Sequence, residues 1–170
     1  MNRRTVRRTL VAVPLSIALS LPLAACGDQP ADSAGSAVAA EVSEDLGVKP
    51  EVPPTDEPAP EELVVDDVVV GDGAEAVDGT SVAVKYVGAF YETGEEFDSS
   101  WSRGEDETLP VTLGAGQVIP GFEQGITGMQ VGGRRVVTIP SDLGYGPTGQ
   151  GPIPGDATLV FVIDLVEVSA

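Results

Sequence analysis

In the C-terminal part of the chain, large apolar residues recur at every second position. Val82, Val84 and Tyr86 share one face of an extended segment, as do Leu159, Phe161 and Ile163, and a period of two marks half-buried strands. The pattern predicts strands at Leu63–Val70, Ser81–Phe90, Pro110–Leu113, Arg134–Ile139 and Thr158–Val168, divided by recurring glycine and proline turn signals. One stretch departs from this rhythm. Phe122, Ile126 and Met129 repeat at helical spacing, Pro120 suits a first helical position, and Gly128 suits the stop. Five strands and one short helix over Pro120 to Gly128 predict an α+β domain, a curved antiparallel sheet wrapped over that helix. Residues 63–170 are enough chain for one core.

The pattern ahead of this domain is different. Arg3, Arg4, Arg7 and Arg8 precede an apolar run from Thr9 to Ala25 that is interrupted by Pro14 and Pro22. The run is short and broken for a membrane span, which wants about 20 apolar residues, so residues 1–25 read as an export signal. The arginines fit either Sec or Tat export. Leu23-Ala24-Ala25-Cys26 resembles the lipobox of bacterial lipoproteins, in which the cysteine thiol takes a diacylglyceryl group. Cys26 is the chain's single cysteine, and an unpaired thiol in an exported protein calls for such an explanation. The alternative is an uncleaved signal anchor with an idle cysteine. Lipidation predicts attachment to the extracytoplasmic face of the cell membrane, because two or three acyl chains anchor stably where one does not.

Residues 26–62 are rich in Ala, Ser, Pro, Asp and Glu and contain no aromatic residue. Such a composition buries too little apolar surface to offset ordering. Its prolines and mutually repelling carboxylates favour extension, so the segment reads as a disordered acidic tether between membrane and domain.

Charge and composition then exclude whole classes of function. Removing residues 1–25 takes away four arginines and none of the 27 carboxylates, moving the formal charge from −18 to −22. Nucleic acid is excluded as a partner, since its binding rests on neutralising phosphates with Lys and Arg. The chain has no histidine, which rules out Ser-His-Asp and Cys-His catalysis and histidine-ligated metal sites. No spacing among the acids resembles an EF-hand loop. The reading calls for neither cofactor nor metal.

The residues of the domain match a family in order and spacing. Val84-Lys85-Tyr86-Val87-Gly88 is followed by Gly94-Glu95-Glu96-Phe97-Asp98-Ser99-Ser100 and by Gly116-Gln117-Val118-Ile119-Pro120-Gly121-Phe122-Glu123. Val131-Gly132-Gly133-Arg134-Arg135, Gly144-Tyr145-Gly146 and Ile153-Pro154 before Ala157-Thr158-Leu159-Val160-Phe161 complete the series. Taken together these segments closely resemble the FKBP family of peptidyl-prolyl cis-trans isomerases. Each motif alone is weak; in register they span nearly the whole domain.

The resemblance implies a half-barrel of antiparallel strands around one short helix, with a shallow apolar pocket between helix and sheet. It implies that Tyr86, Phe97, Val118, Ile119, Phe122, Tyr145, Ile153 and Phe161 line the pocket, with Asp98 at its rim and Arg103 as the rim arginine that pairs with it. In the family's binding mode the backbone NH of Ile119 and the hydroxyl of Tyr145 donate to substrate carbonyls while the prolyl ring sits on the floor. Here Phe122 forms that floor in place of an indole, and Leu109 stands where an aromatic usually lies. The loop Ser102–Glu107 is longer than in small members of the family and carries Glu105, Asp106 and Glu107. The loop Gly149–Gly155 is shorter, with Gln150 in place of a frequent histidine.

Taken singly, Phe97, Phe122 and Phe161 would be ordinary core aromatics, Asp98 a turn residue bonding its own backbone, and Tyr145 a turn aromatic between glycines. Their joint spacing favours the pocket. The resemblance implies a prolyl isomerase acting on proline-containing polypeptides, those of exported proteins given the leader, with macrolide FKBP ligands sharing its pocket. A binding or chaperone module that keeps the pocket without isomerase activity is the alternative.

Overall fold

The computed structural model describes residues 32–169, with side chains from Ala37 onward. The expected signal peptide, Cys26 and the chain up to residue 31 lie outside the described residues.

Alternation along the strands builds an antiparallel sheet. In chain order the elements are helix α1 (Asp32–Glu41), β1 (Val64–Val69), β2 (Ser81–Phe90), β3 (Glu96–Ser99), β4 (Leu109–Thr112), helix α2 (Pro120–Ile126), β5 (Arg134–Ile139) and β6 (Leu159–Ser169). The sheet runs β1-β5-β6-β2-β3, and β4 pairs with the other end of β2. The free edge of β2 is thus shared: Val87 and Gly88 face Ser99 and Asp98, whereas Ser81 to Val84 face Thr112 to Leu109. The intervening residues 100–108 loop off the sheet at that switch, and they carry Arg103 to the rim of the site described below. The short strand β3 was not foreseen from periodicity, since Glu96–Ser99 offers a single large apolar residue, Phe97.

Strand parity sorts side chains into two cores. Val82, Val84, Tyr86, Phe161, Ile163 and Val137 face α2 and pack with Phe122, Ile126 and Met129. Helix α2 stops as expected, with Gly128 just beyond it at φ 83°, a left-handed conformation in which glycine carries no Cβ penalty. On the opposite face Val87, Ala89, Tyr91, Val136, Val160 and Val162 form a second core, closed by Val38, Val42 and Val52.

That second core corrects the expectation of a disordered tether, over residues 37–62. Helix α1 lies across β1 and β5, and Val38, Val42 and Val52 are buried. Arg134, fully buried, forms a bidentate pair with Asp164 at 2.6 and 2.7 Å. Its remaining N–H groups donate to the carbonyls of Ser43 at 2.6 Å, Asp45 at 3.1 Å and Val48 at 3.2 Å. Lys49 pairs with Glu96 at 2.7 Å, and Thr55 N–H donates to Glu92 O at 3.2 Å. The physical reason is that composition measures what a segment can bury on itself. This one buries its few valines on a sheet face that supplies both an apolar partner and a guanidinium for its carbonyls.

Candidate functional site

Five aromatic rings are brought together where β2, β3 and β6 curve over α2. Phe122 meets Phe161 edge-on with ring centroids 5.1 Å apart, and Tyr86 meets Phe122 edge-on at 5.8 Å. Phe97 stands edge-on to Phe161 at 5.7 Å and tilts against Phe90 at 5.2 Å. These are the spacings at which edge-to-face attraction adds to burial. Gly88 makes the cluster feasible. A Cβ there would lie 2.7 Å from Phe161 Cε1 and 2.8 Å from Phe97 Cζ, so the strand must be bare at that point for both rings to lean across it.

Beside this cluster opens a cavity of about 540 Å³, lined by Tyr86, Phe97, Asp98, Leu109, Val118, Ile119, Phe122, Tyr145 and Phe161 together with Gln117, Gly144 and Gln150. That volume suits a drug-sized molecule or a few residues of peptide. Among the expected site residues, Ile153 is buried against the same core without surfacing in the cavity. Arg103 stands at the rim, held there by its partners. Gln117 and Gly144 join the lining without having been singled out in advance; Gln117 was legible as the residue ahead of Val118 and Ile119, whereas a glycine has no side-chain signal. The Gln117 side chain is partly committed, its Oε1 accepting from the backbone N–H of Thr112 at 3.0 Å.

The polar groups divide into those already satisfied and those left open. The Tyr86 hydroxyl donates to Asp98 Oδ2 through a short bond and accepts from Arg103 Nη2 at 3.1 Å. Asp98 Oδ1 accepts from the Ser99 N–H at 2.8 Å and from Arg103 Nη1 at 3.2 Å. Arg103 also lies over the Tyr86 ring, 5.7 Å from its centroid. Burial raises the Tyr86 pKa, and its hydrogen bond to Asp98 raises it further. The bond from Arg103 to Tyr86 is the main reason that the Arg103 pKa also lies above its ordinary value. Tyr86 is fixed from behind as well: its N–H donates to Ser100 Oγ at 3.0 Å, and its carbonyl accepts from Ser100 N–H at 3.1 Å.

Two donors remain open. Among the described residues neither the backbone N–H of Ile119 nor the hydroxyl of Tyr145 has an acceptor, although both residues line the cavity. Ile119 precedes α2 in an extended conformation, φ −61° and ψ 146°, with its carbonyl accepting from Phe122 and Glu123 N–H groups. Burial, and secondarily the charge of Asp98, raise the pKa of Tyr145, so its hydroxyl stays protonated and able to donate. The site is therefore an apolar cleft with two unspent donors and a tyrosine–carboxylate–arginine rim, and it holds no nucleophile poised beside a base.

Comparison with known proteins agrees with this geometry. Residues 73–166 match the family described as FKBP-type peptidyl-prolyl cis-trans isomerase. The chain is 51% identical over 118 residues to a probable FK506-binding protein of Corynebacterium glutamicum, covering 69% of this chain and 97% of the relative. It is 52% identical over 124 residues to an FK506-binding protein of Streptomyces anulatus, covering 71% and 97%. The crystal structure of AtFKBP13 superposes with a TM-score of 0.59 at 37% identity, over 65% of this chain and 96% of that one. The sequence motifs, the sheet wrapped over α2 and the matched length converge: this chain belongs to the FKBP-type peptidyl-prolyl cis-trans isomerase family.

Proposed function

We propose that this isomerase acts on exported polypeptides while held at the extracytoplasmic face of a bacterial membrane by lipid on Cys26. The observation that carries the chemistry is the pairing of an apolar, ring-lined cleft with the two unpartnered donors of Ile119 and Tyr145. Rotation about an Xaa-Pro bond faces a barrier of about 18–20 kcal/mol because amide resonance is lost in the twisted state. The twisted amide is less dipolar than the planar one, so transfer into an apolar cleft stabilises it relative to the ground state.

A millionfold acceleration corresponds to roughly 8 kcal/mol, more than desolvation alone supplies. Preorganised hydrogen bonds provide the remainder. The Ile119 N–H and the Tyr145 hydroxyl hold the substrate carbonyls on either side of the prolyl ring, which rests on Phe122. The rim of Tyr86, Asp98 and Arg103 keeps the wall above that ring in place and performs no proton transfer. Macrolides known to occupy FKBP pockets would compete for the same cleft.

Support for the location comes from the basic leader, the Leu23-Ala24-Ala25-Cys26 motif and the single cysteine. With packing established from Val38 onward, within helix α1, residues 27–31 alone lie between Cys26 and that helix. The tests are direct. A proline tetrapeptide assay should show acceleration by the protein, inhibition by an FKBP-binding macrolide, and about a tenfold fall in kcat/KM on Tyr145→Phe, equivalent to about 1.4 kcal/mol. Labelled palmitate should enter the wild type but not Cys26→Ala, which should leave the membrane fraction. An unlabelled wild-type chain recovered free of membrane would refute the anchor.

A further inference from the structure

A second hollow, of about 560 Å³, adjoins the first. The two share the Phe90–Phe97 ring pair as a partition: Phe97 lines the first, Phe90 the second, and the centroids are 5.2 Å apart. They also share one loop. Tyr145 and Gln150 face the first, and Pro152, Pro154 and Asp156 face the second. A third wall is Ala59, from the segment that reaches the turn after β2 through the Thr55 N–H bond to Glu92 O and the Tyr91 hydroxyl bond to Pro58 O at 3.4 Å. This wall lies outside residues 73–166, the part matched by the family.

Apolar surface and charge are combined in a definite way there. Phe90, Pro152 and Pro154 supply the apolar faces, while Glu92, Glu95 and Asp156 also line the hollow. All three carboxylates are exposed, and none takes part in an ion pair among the described residues. No lysine or arginine lines the hollow. An apolar trough ringed by unpaired carboxylates suits an aliphatic stem that ends in a cation, which is the amphipathic build of Lys and Arg.

We propose that this hollow is an accessory subsite for the polypeptide substrate, taking a Lys or Arg side chain while the proline occupies the first cleft. The inference rests on the isomerase reading of that cleft. Crossing the ring partition at about 3.3 Å per extended residue places the cation about two to four residues from the proline.

The test uses the full-length protein and proline peptides in which Lys, Glu or Ala is moved stepwise along the chain. Lys at the favoured position should raise kcat/KM about fivefold over Ala, with Glu lowering it, as expected for summed, partly exposed charge pairs. Added salt should erase the difference. The triple variant Glu92→Gln, Glu95→Gln, Asp156→Asn should bring the Lys-to-Ala ratio to about one, with turnover of the neutral peptide unchanged. Ala59→Lys, at an exposed position, should do the same without touching the acids. A protein that turns over the neutral peptide but shows no Lys preference, or one whose preference survives both variants, overturns the subsite alone. A protein that turns over no proline peptide overturns the isomerase reading and the subsite with it.

Discussion

The Tyr86 hydroxyl donates its hydrogen bond to Asp98, and that bond commits the one donor of the Tyr86 side chain. The hydroxyl oxygen accepts from Arg103 at 3.1 Å, leaving Tyr86 as wall rather than as a hand extended to substrate. Asp98 and Tyr86 therefore act as one unit. Asp98→Ala should lower kcat/KM about tenfold, the scale of one hydrogen bond to a charged group. Tyr86→Phe should lower it by a similar or smaller factor. In the double variant the losses should not add, because the second change removes a partner already lost. Additive losses in a double-mutant cycle would separate the two residues and sink the assignment.

Alkaline titration offers an independent check. Burial raises the pKa values of Tyr86 and Tyr145 above the ordinary 10.0, helped at Tyr86 by its bond to Asp98 and at Tyr145 by the Asp98 charge. A raised native value means that above the unfolded pKa the native state holds more protons than the unfolded one, so stability falls with pH. The stabilisation is complete below pH 10 and is lost as pH climbs through the native values. Thermal melts from about pH 9 to 12 should show this fall, and Tyr86→Phe and Tyr145→Phe should each make it shallower. An unchanged slope in both variants would contradict the burial of these hydroxyls.

Gly88 is the point where sequence, packing and function meet most tightly. An added methyl has backbone on one side and the Phe97 and Phe161 rings on the other, and overpacking of this kind destabilises by about 1–3 kcal/mol. Gly88→Ala should lower the melting temperature and, because it shifts the wall rings, should also weaken macrolide binding and turnover. Measured below the melt, retention of full activity would show that the rings move aside without consequence.

How much of this was legible beforehand depended on whether a residue's partners are near in pattern. The strands β2, β5 and β6 and the short α2 were readable because period and turn residues agree over Ser81–Phe90, Arg134–Ile139, Leu159–Ser169 and Pro120–Ile126. The cleft was readable because its residues carry motif spacing: Tyr86, Phe97, Asp98, Ile119 and Tyr145 all line it. The covering of the outer face was missed. Leu159 to Leu165 is apolar almost without a break, Asp164 excepted, and a strand of that kind is usually buried on both sides. Val160 and Val162 were the signal, and the alternation of Leu159, Phe161 and Ile163 drew the reading to one face. Arg134 and Asp164 hid the rest, since a charged pair on a strand ordinarily means solvent.

Arg134 is the residue through which that hidden face can be tested. It has no exposure, Asp164 takes two of its N–H groups, and three backbone carbonyls of the N-terminal segment take the others. Breaking a buried pair from one side costs about 3–5 kcal/mol, because the abandoned charge stays buried. Arg134→Leu should therefore lower stability by about that amount, read as a denaturant midpoint shift. Deleting residues 1–54 removes the three acceptors and uncovers Val87, Val136, Val160 and Val162, so it should destabilise as well. Combining the deletion with Arg134→Leu should cost less than the sum, since both remove the same latch. The cleft lies on the opposite face of the sheet, so turnover of a short neutral peptide, measured well below the melt, should persist in each variant. A truncated chain that melts with the full-length protein would mean that the segment rests on the sheet without holding it, and the start of the folded unit would return to Leu63.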